Sequence, residues 1–370
     1  MRLISRALLS GIKPPCFSGC RSWDGACGHP GSWYLYIVMT QTNFEIEPSR
    51  PRVGVALGGG VARGNFLFGA LRALDEAGVR FDCFAGTSSG SIAASALAGG
   101  TSHFELGKMT ESVKWFQDVF HLKNTTLNVL RAIRSYLSSK GGKDTPPGFL
   151  ESSRLADFVS RTLEGRTFSQ IQELILTATD IVTGEEILFC APKTAQTLDS
   201  SGMLKTAPLP LDAPAWQQGY LRRDVIVPFE DVGLAVRASC CFPGMFSSVL
   251  VDCPDLSGNV RKRMLYDGGI CEQVPVRPLK ALGCEKVLAI FIGFLPRFQE
   301  VSHFVAVSLN SVQFIMRSQI VESLRQADYV LYDPHIEDES VVTLDPNLVQ
   351  KGYEFTRERI PDIKKALGIE

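Results

Sequence analysis

Residues Val53–Gly100 read VGVALGGGVARGNFLFGALRALDEAGVRFDCFAGTSSGSIAASALAGG, and one pattern occurs twice in them. Two short apolar runs, Val53–Leu57 and Phe81–Ala85, have the composition of buried parallel strands. Each leads directly into a glycine-rich turn and then into a helical pattern. The first turn is Gly58-Gly59-Gly60-Val61-Ala62-Arg63-Gly64, and the second is Gly86-Thr87-Ser88-Ser89-Gly90.

The second turn has the G-x-S-x-G spacing of a nucleophile elbow. A serine on a sharp strand-to-helix turn needs small neighbours two residues away on either side, and glycine at both places lifts the hydroxyl clear of the sheet. The helix expected over Ser89–Ala98 points its N-terminus and partial positive charge at that serine. The first turn complements it, because a run of glycines at a helix start exposes backbone N–H groups where an oxyanion could develop. A phosphate cradle fits less well. No Gly-Lys-Ser/Thr follows, and the G-x-G-x-x-G pattern fails by one place, Arg63 standing where the third glycine belongs.

Together with Asp267-Gly268-Gly269 far downstream, these turns resemble the patatin-like phospholipase family, from about Arg52 to the end of the chain. That family has a glycine-rich oxyanion loop, a G-x-S-x-G elbow and a D-G-G/A motif in this order. Two further stretches resemble it as well: Ala178-Thr179-Asp180 followed by Thr183-Gly184-Glu185, and Val232–Phe246, read as a helix stopped near Pro243 that places Phe242 and Phe246 near the site. The resemblance implies a three-layer α/β/α fold with a mainly parallel central sheet. It implies a Ser88–Asp267 dyad, an oxyanion hole from Gly58, Gly59, Gly60 and Val61, and a phospholipid or lysophospholipid substrate, with no metal and no organic cofactor. Arg63 reads equally as a contact for an anionic head group and as a structural ion pair. The chain departs from the family pattern at Val61, where many relatives have glycine or another small residue, and at Gln273, where asparagine is common. A β-branched side chain disfavours positive φ, so Val61 is expected to give the loop a different geometry.

Two rival functions follow from the same residues. Of five histidines, His335 comes after Asp267 and the expected last strand, so Ser88, Asp267 and His335 satisfy the chain order of an α/β-hydrolase triad and a general carboxylesterase. A catalytically impaired lipid-binding relative is the other, motivated by Val61. Asp267 by itself also reads as a turn aspartate bonding its own backbone.

The 370 residues, 45% apolar, suffice for one large α/β domain or two small ones, and a formal net charge of −1 points to no nucleic-acid partner. No apolar run is long enough to span a bilayer as a helix. Ten cysteines, several in apolar runs, read as buried free thiols of a reducing compartment. Cys16 and Cys20 have no second ligand pair, so zinc is rejected. The expected location is the cytoplasm. A peripheral membrane contact is left open because Leu127–Lys143 combines an apolar stripe with four basic residues and no acid, although an ordinary helix with a solvated basic face explains it more simply.

Along the chain, strands are expected over Leu174–Ile181, Glu186–Cys190, Val287–Ile292 and Tyr329–Tyr332. Helices are expected over Glu151–Leu163, capped by Ser152 or Ser153, over His303–Gln326, and over Lys351–Leu367 with an interruption near Pro361. Residues 192–224 read as a surface insertion and candidate lid, within a domain spanning 51–370. Residues 1–50 read as an N-terminal extension that is disordered or not translated. Up to residue 38 it carries Arg2, Arg6, Lys13 and Arg21 against Asp24 alone, with three of the cysteines. Arg6 interrupts any signal-peptide core, the Arg and Ser content allows a transit peptide, and Met39 is a natural start for the domain. A chain beginning at Met39 is expected to keep full solubility and activity, and loss of either on direct comparison with the 370-residue chain would count against this reading.

Overall fold

The computed structural model describes residues 50–102, 152–204, 224–243, 245–293, 316–338, 345 and 347–370, all within the unit Ser49–Glu370. The N-terminal extension, Leu127–Lys143, most of the expected His303–Gln326 helix and the expected insertion beyond Leu204 lie outside the described residues.

Nine strands form one sheet: β1 (Val53–Leu57), β2 (Cys83–Gly86), β3 (Glu173–Asp180), β4 (Glu185–Cys190), β5 (Asp224–Pro228), β6 (Val249–Pro254), β7 (Val260–Asp267), β8 (Lys286–Ile290) and β9 (Tyr329–Leu331). The main path runs β5-β4-β3-β2-β1-β8-β9. Pairing is parallel for β1–β2, β2–β3, β1–β8, β8–β9 and β4–β5. It is antiparallel for β3–β4, β3–β7 and β6–β7.

Alternation along the central strands separates two buried faces. Val53, Val55, Leu57 and Phe84 belong to one core, Ala56, Cys83 and Ala85 to the other. The first core is closed by α1 (Gly64–Glu76), α2 (Ser89–Ala98), α3 (Ser153–Thr162), α5 (Val232–Ser239) and α8 (Ile360–Leu367). The second is closed by α4 (Pro192–Ser200), α6 (Val276–Ala281) and a helical segment over 316–325. With helices on both faces, the fold is three-layered and mainly parallel, which explains why its strands read as continuous apolar runs. Helix α2, SGSIAASALA, sets four alanines and a leucine against three serines, a glycine and an isoleucine of lower helix propensity. Its small side chains Ala93, Ala94 and Ala98, all buried, let it lie close to the sheet, and that packing holds it rather than propensity.

The pairing of β3 positions the site. Its first half, Glu173–Leu176, pairs with β2, and its last residues, Ala178–Asp180, pair on the same edge with β7. β7 therefore continues that edge where β2 stops, and brings its last residue, Asp267, opposite Ala178, beside the turn that leaves β2.

The start of the expected 192–224 insertion folds as α4, with Pro192 in its first turn and Ala195 and Leu198 buried. The helix from Val232 ends at Ser239, four residues before Pro243. The expected interruption near Pro361 is present: α7 (Asn347–Arg357) and α8 are separate helices, with Pro361 in the first turn of the second. Strands β5, β6 and the beginning of β7 were not foreseen. β6 alternates buried and exposed residues and β7 begins RKR after its first valine, so a strand wet on one face shows no apolar run to read.

Candidate active site

Ser88 stands between β2 and α2 with φ 53° and ψ −128°. Among the described residues only Val61, Ser88 and Glu164 are non-glycine residues at positive φ, a conformation costing on the order of 1–3 kcal/mol. The turn is over-determined by its neighbours. The Ser88 N–H donates to Ser239 Oγ at 2.9 Å, and the Ser88 carbonyl accepts from Ser91 N at 2.8 Å and Ser91 Oγ at 2.6 Å. Thr87 N donates to the Leu57 carbonyl at 3.1 Å. A side chain at Gly90 would begin 2.2 Å from that same carbonyl oxygen, so only glycine lets α2 start this close to β1.

Asp267 is anchored on both sides of its peptide. Its N–H donates to the Cys241 carbonyl at 2.9 Å and its carbonyl accepts from Thr179 Oγ1 at 3.0 Å. Its Oδ1 accepts from the Gly269 N–H at 2.8 Å, the bond of a turn aspartate, and the Ser88 side chain stands near enough to lower its pKa. Burial outweighs both effects and pushes the Asp267 carboxyl up from an ordinary 3.8 to about 6. Beneath the pair, Thr87 Oγ1 donates to the Glu272 carbonyl at 2.9 Å and lies 2.8 Å from Thr177 Oγ1.

The glycine loop lies directly on Ser88, since a side chain at Gly59 would begin 2.9 Å from Ser88 Cβ. Its first three amides are already engaged: Gly58 N donates to Ile290 O at 3.0 Å, Gly59 N to Gln273 O at 3.1 Å, and Gly60 N to Ser89 Oγ at 3.1 Å. The amides of Val61, Ala62 and Ser89 have no acceptor among the described residues. Val61 does take positive φ, at 50°, against the expectation from its β-branch, so the loop keeps a glycine-like shape at a cost in strain. Gln273 braces it, accepting from Gly59 N through its backbone and donating Nε2 to Gly59 O at 3.0 Å. Arg63 is only 1% exposed; this burial favours the structural role over a head-group contact.

Two buried charge networks stiffen the frame. Arg263 Nη1, four residues before Asp267 on β7, donates to Asp180 Oδ2 at 2.8 Å and Glu185 Oε2 at 2.5 Å. Arg277 on α6 bonds Glu186 Oε2 and Asp224 Oδ1, each at 2.7 Å, and lies 3.4 Å from Glu272 Oε2. It thereby ties β4 and β5 to the segment after Asp267.

Of the other residues singled out in the sequence, Phe246 is buried in the core, whereas Phe242 is 39% exposed, one residue from the carbonyl that holds Asp267. His335 is not part of the constellation. It is exposed in a short turn after β9, whose end lies three strands from that of β2, about 14 Å at the usual spacing. Ser239 was missed as a support of Ser88, although it sits inside the Ala-Ser pair that the Val232–Phe246 resemblance had marked. No group of three or more His, Cys, Asp or Glu among the described residues is placed to hold a metal ion.

A strained serine thus stands at a strand–turn–helix elbow of a mainly parallel sheet, beside a buried aspartate. The chain belongs to the patatin-like phospholipase family, whose model matches residues 55–280. An uncharacterised NTE-family protein of Mycobacterium bovis is 25% identical over 246 residues, covering 66% of this chain and 50% of that one, and a Mycobacterium tuberculosis protein matches equally. The chain thus spans about half the length of the curated relatives it matches. Similar solved structures include VipD from Legionella pneumophila (14% identity, TM-score 0.34, 85% of this chain and 67% of that one). Human GIVD cytosolic phospholipase A2 is another (12% identity, TM-score 0.39, 86% and 62%).

Two substitutions test the strain and the buried charge by urea denaturation. Val61→Gly is expected to stabilise the fold by about 1 kcal/mol, because glycine takes positive φ without the β-branch clash. For Asp267→Asn, the raised native carboxyl pKa of about 6 means that wild type loses stability as pH rises from about 4 through 6, when the buried group must ionise. The variant is expected to be more stable than wild type by up to about 3 kcal/mol above that range and to lose this advantage below about pH 4. A pH-independent difference would show that the carboxyl is not strained by burial.

Proposed function

We propose that the chain is a lipid acyl hydrolase that cleaves fatty-acyl esters of phospholipids or lysophospholipids, with Ser88 as nucleophile and Asp267 as its base. One observation carries the reading: a serine held on a strained elbow stands near enough to a buried carboxyl to lower its pKa, while burial raises that carboxyl to about 6. A surface carboxylate is a weak base, whereas one raised toward neutrality accepts a proton more readily while staying ionised at physiological pH.

Ser88 Oγ attacks the acyl carbonyl as Asp267 takes its proton. The ester C–O bond breaks, the leaving alcohol takes that proton, and the acyl group stays on Ser88. Water, deprotonated by Asp267, then attacks the acyl-enzyme; the bond from the acyl carbon to Ser88 Oγ breaks, Oγ takes the proton back from Asp267, and the fatty acid leaves. Of the four loop residues expected at the oxyanion hole, Gly58 and Gly59 spend their amides on backbone carbonyls and serve the loop's shape. The oxyanion donors in this reading are Val61 and Ser89, with Gly60 joining when the Ser89 hydroxyl turns away. The exposed Phe242 at the rim suits an acyl chain.

A Ser–Asp–His triad finds no support in the position of His335. The seven described cysteines are buried free thiols, which supports a reducing, cytoplasmic setting. No described helix is long and apolar enough to cross a membrane, so the reading has the enzyme meeting its lipid at a membrane surface.

The test is fatty-acid release from a panel of phospholipids, lysophospholipids and short-chain esters. Ser88→Ala and Asp267→Asn are each expected to lose several orders of magnitude in kcat, as removal of a nucleophile or its base does, while His335→Gln retains activity. The acid limb of kcat/KM is expected near pH 6, following Asp267. Loss of activity in His335→Gln would restore the triad. Failure of wild type on every ester, with no labelling of Ser88 by a fluorophosphonate, would leave the lipid-binding relative.

A further inference from the structure

Seven large apolar side chains are exposed among the described residues, and five of them stand together: Ile181 and Val182 in the β3–β4 turn, and Leu250, Leu256 and Val260 on the β6–β7 hairpin, at 42–73% exposure. Backbone pairing makes them neighbours. Ile181 N donates to Met264 O at 3.1 Å, Met264 pairs across the hairpin with Leu250, and Val260 pairs with Pro254. Residues 250, 252 and 254 and their partners 264, 262 and 260 share one face, whose alternate positions are otherwise Asp252 and Lys262.

This platform has a direction. β3 runs four residues past its pairing with the last residue of β2, Gly86. The hairpin continues five residues farther, from Met264 back to Val260, or roughly 16 Å. It projects from the carboxyl end of the sheet, the end at which Ser88 sits, and β7 leads from its tip to Asp267. Its exposed charges balance, Arg261 and Lys262 against Asp252 and Asp255, so it does not select a polyanion. The Asp255 carboxylate is itself engaged, accepting from the Ser257 and Asn259 amides to shape the tip.

We propose that the β6–β7 hairpin and the β3–β4 turn form a docking platform that inserts apolar side chains into the interface of a phospholipid bilayer and sets the Ser88 site against the lipid. The proposal rests on the lipid-hydrolase reading above and names the surface that this reading leaves unspecified. A phospholipid ester lies in a membrane, so a buried Ser88 needs a surface that holds the site against it. Apolar tips on two adjacent turns, with balanced charge around them, suit shallow insertion into headgroups whether or not the lipid is anionic.

The experiment is flotation of the full chain with vesicles of pure phosphatidylcholine at low and high salt, beside hydrolysis of a soluble short-chain ester. Wild type is expected to float with little dependence on salt. Val182→Asp and Val260→Asp are each expected to lower vesicle partitioning at least about tenfold, since a charge replaces an inserted side chain. Ester hydrolysis is expected to be unchanged, which also verifies folding; Leu256→Asp, at the hairpin tip, is the substitute if either variant is unstable. Unchanged partitioning in folded variants overturns the proposal. So does a wild type that hydrolyses the ester but does not float, or a self-association of wild type abolished by these substitutions, which would make the face a contact between two copies. A wild type that floats but hydrolyses neither soluble nor vesicle esters defeats the hydrolase reading and leaves the platform standing as a membrane contact.

Discussion

A carboxylate buried against a serine hydroxyl is costly to the fold, and the architecture around Ser88 and Asp267 is arranged to impose that cost. Neither residue can reach the other through local sequence. They lie 179 positions apart and meet because β3 is shared, its first half by β2 and its second by β7. The Thr179 hydroxyl on β3 holds the Asp267 carbonyl directly, and Thr177 holds the turn before the nucleophile through Thr87. The strand that separates the two residues in the chain is the one that brings them together in space.

Holding an ionisable group out of water requires rigid neighbours, because a loose site would let water in and return the carboxyl to its ordinary pKa. Arg263, with its two carboxylate partners, fixes β7 to the β3–β4 turn just before Asp267. Arg277 fixes the chain just after it through Glu272, Glu186 and Asp224. Such buried pairs add little net stability as pairs, yet breaking one by removing a single partner costs on the order of 3–5 kcal/mol. Their value is geometric. They make the position of Asp267 a property of the sheet rather than of a loop.

The same logic explains two strained residues meeting at one place. Ser88 and Val61 both sit at positive φ, one presenting a hydroxyl and the other an unengaged amide. Gln273 clamps Gly59 from both its backbone and its side chain, so the loop that carries Val61 is tied to the segment that follows Asp267. Ser88, Asp267 and the glycine loop therefore form one connected unit, with two of its residues held in strained backbone.

The sequence by itself determined the fold class and the family, and it marked Ser88 and Asp267 for attention. These rest on short-range physics: apolar runs of strand length, glycines where backbones must touch, and a serine and an aspartate each beside the small residues that its turn needs. It also determined β1 and α2, because Val53–Leu57 and Ser89–Ala98 each end at a glycine, Gly58 and Gly99. Only the tertiary structure decided which loop amides are already spent, because their acceptors, Ile290 O and Gln273 O, come from strands and loops more than 200 residues away. It decided that Val61 accepts a left-handed backbone, overriding a local preference, and that His335 stands apart, because chain order fixes sequence and not distance. It also decided that half-wet strands such as β6 exist at all, since their alternating polarity becomes legible only once the face they cover is known.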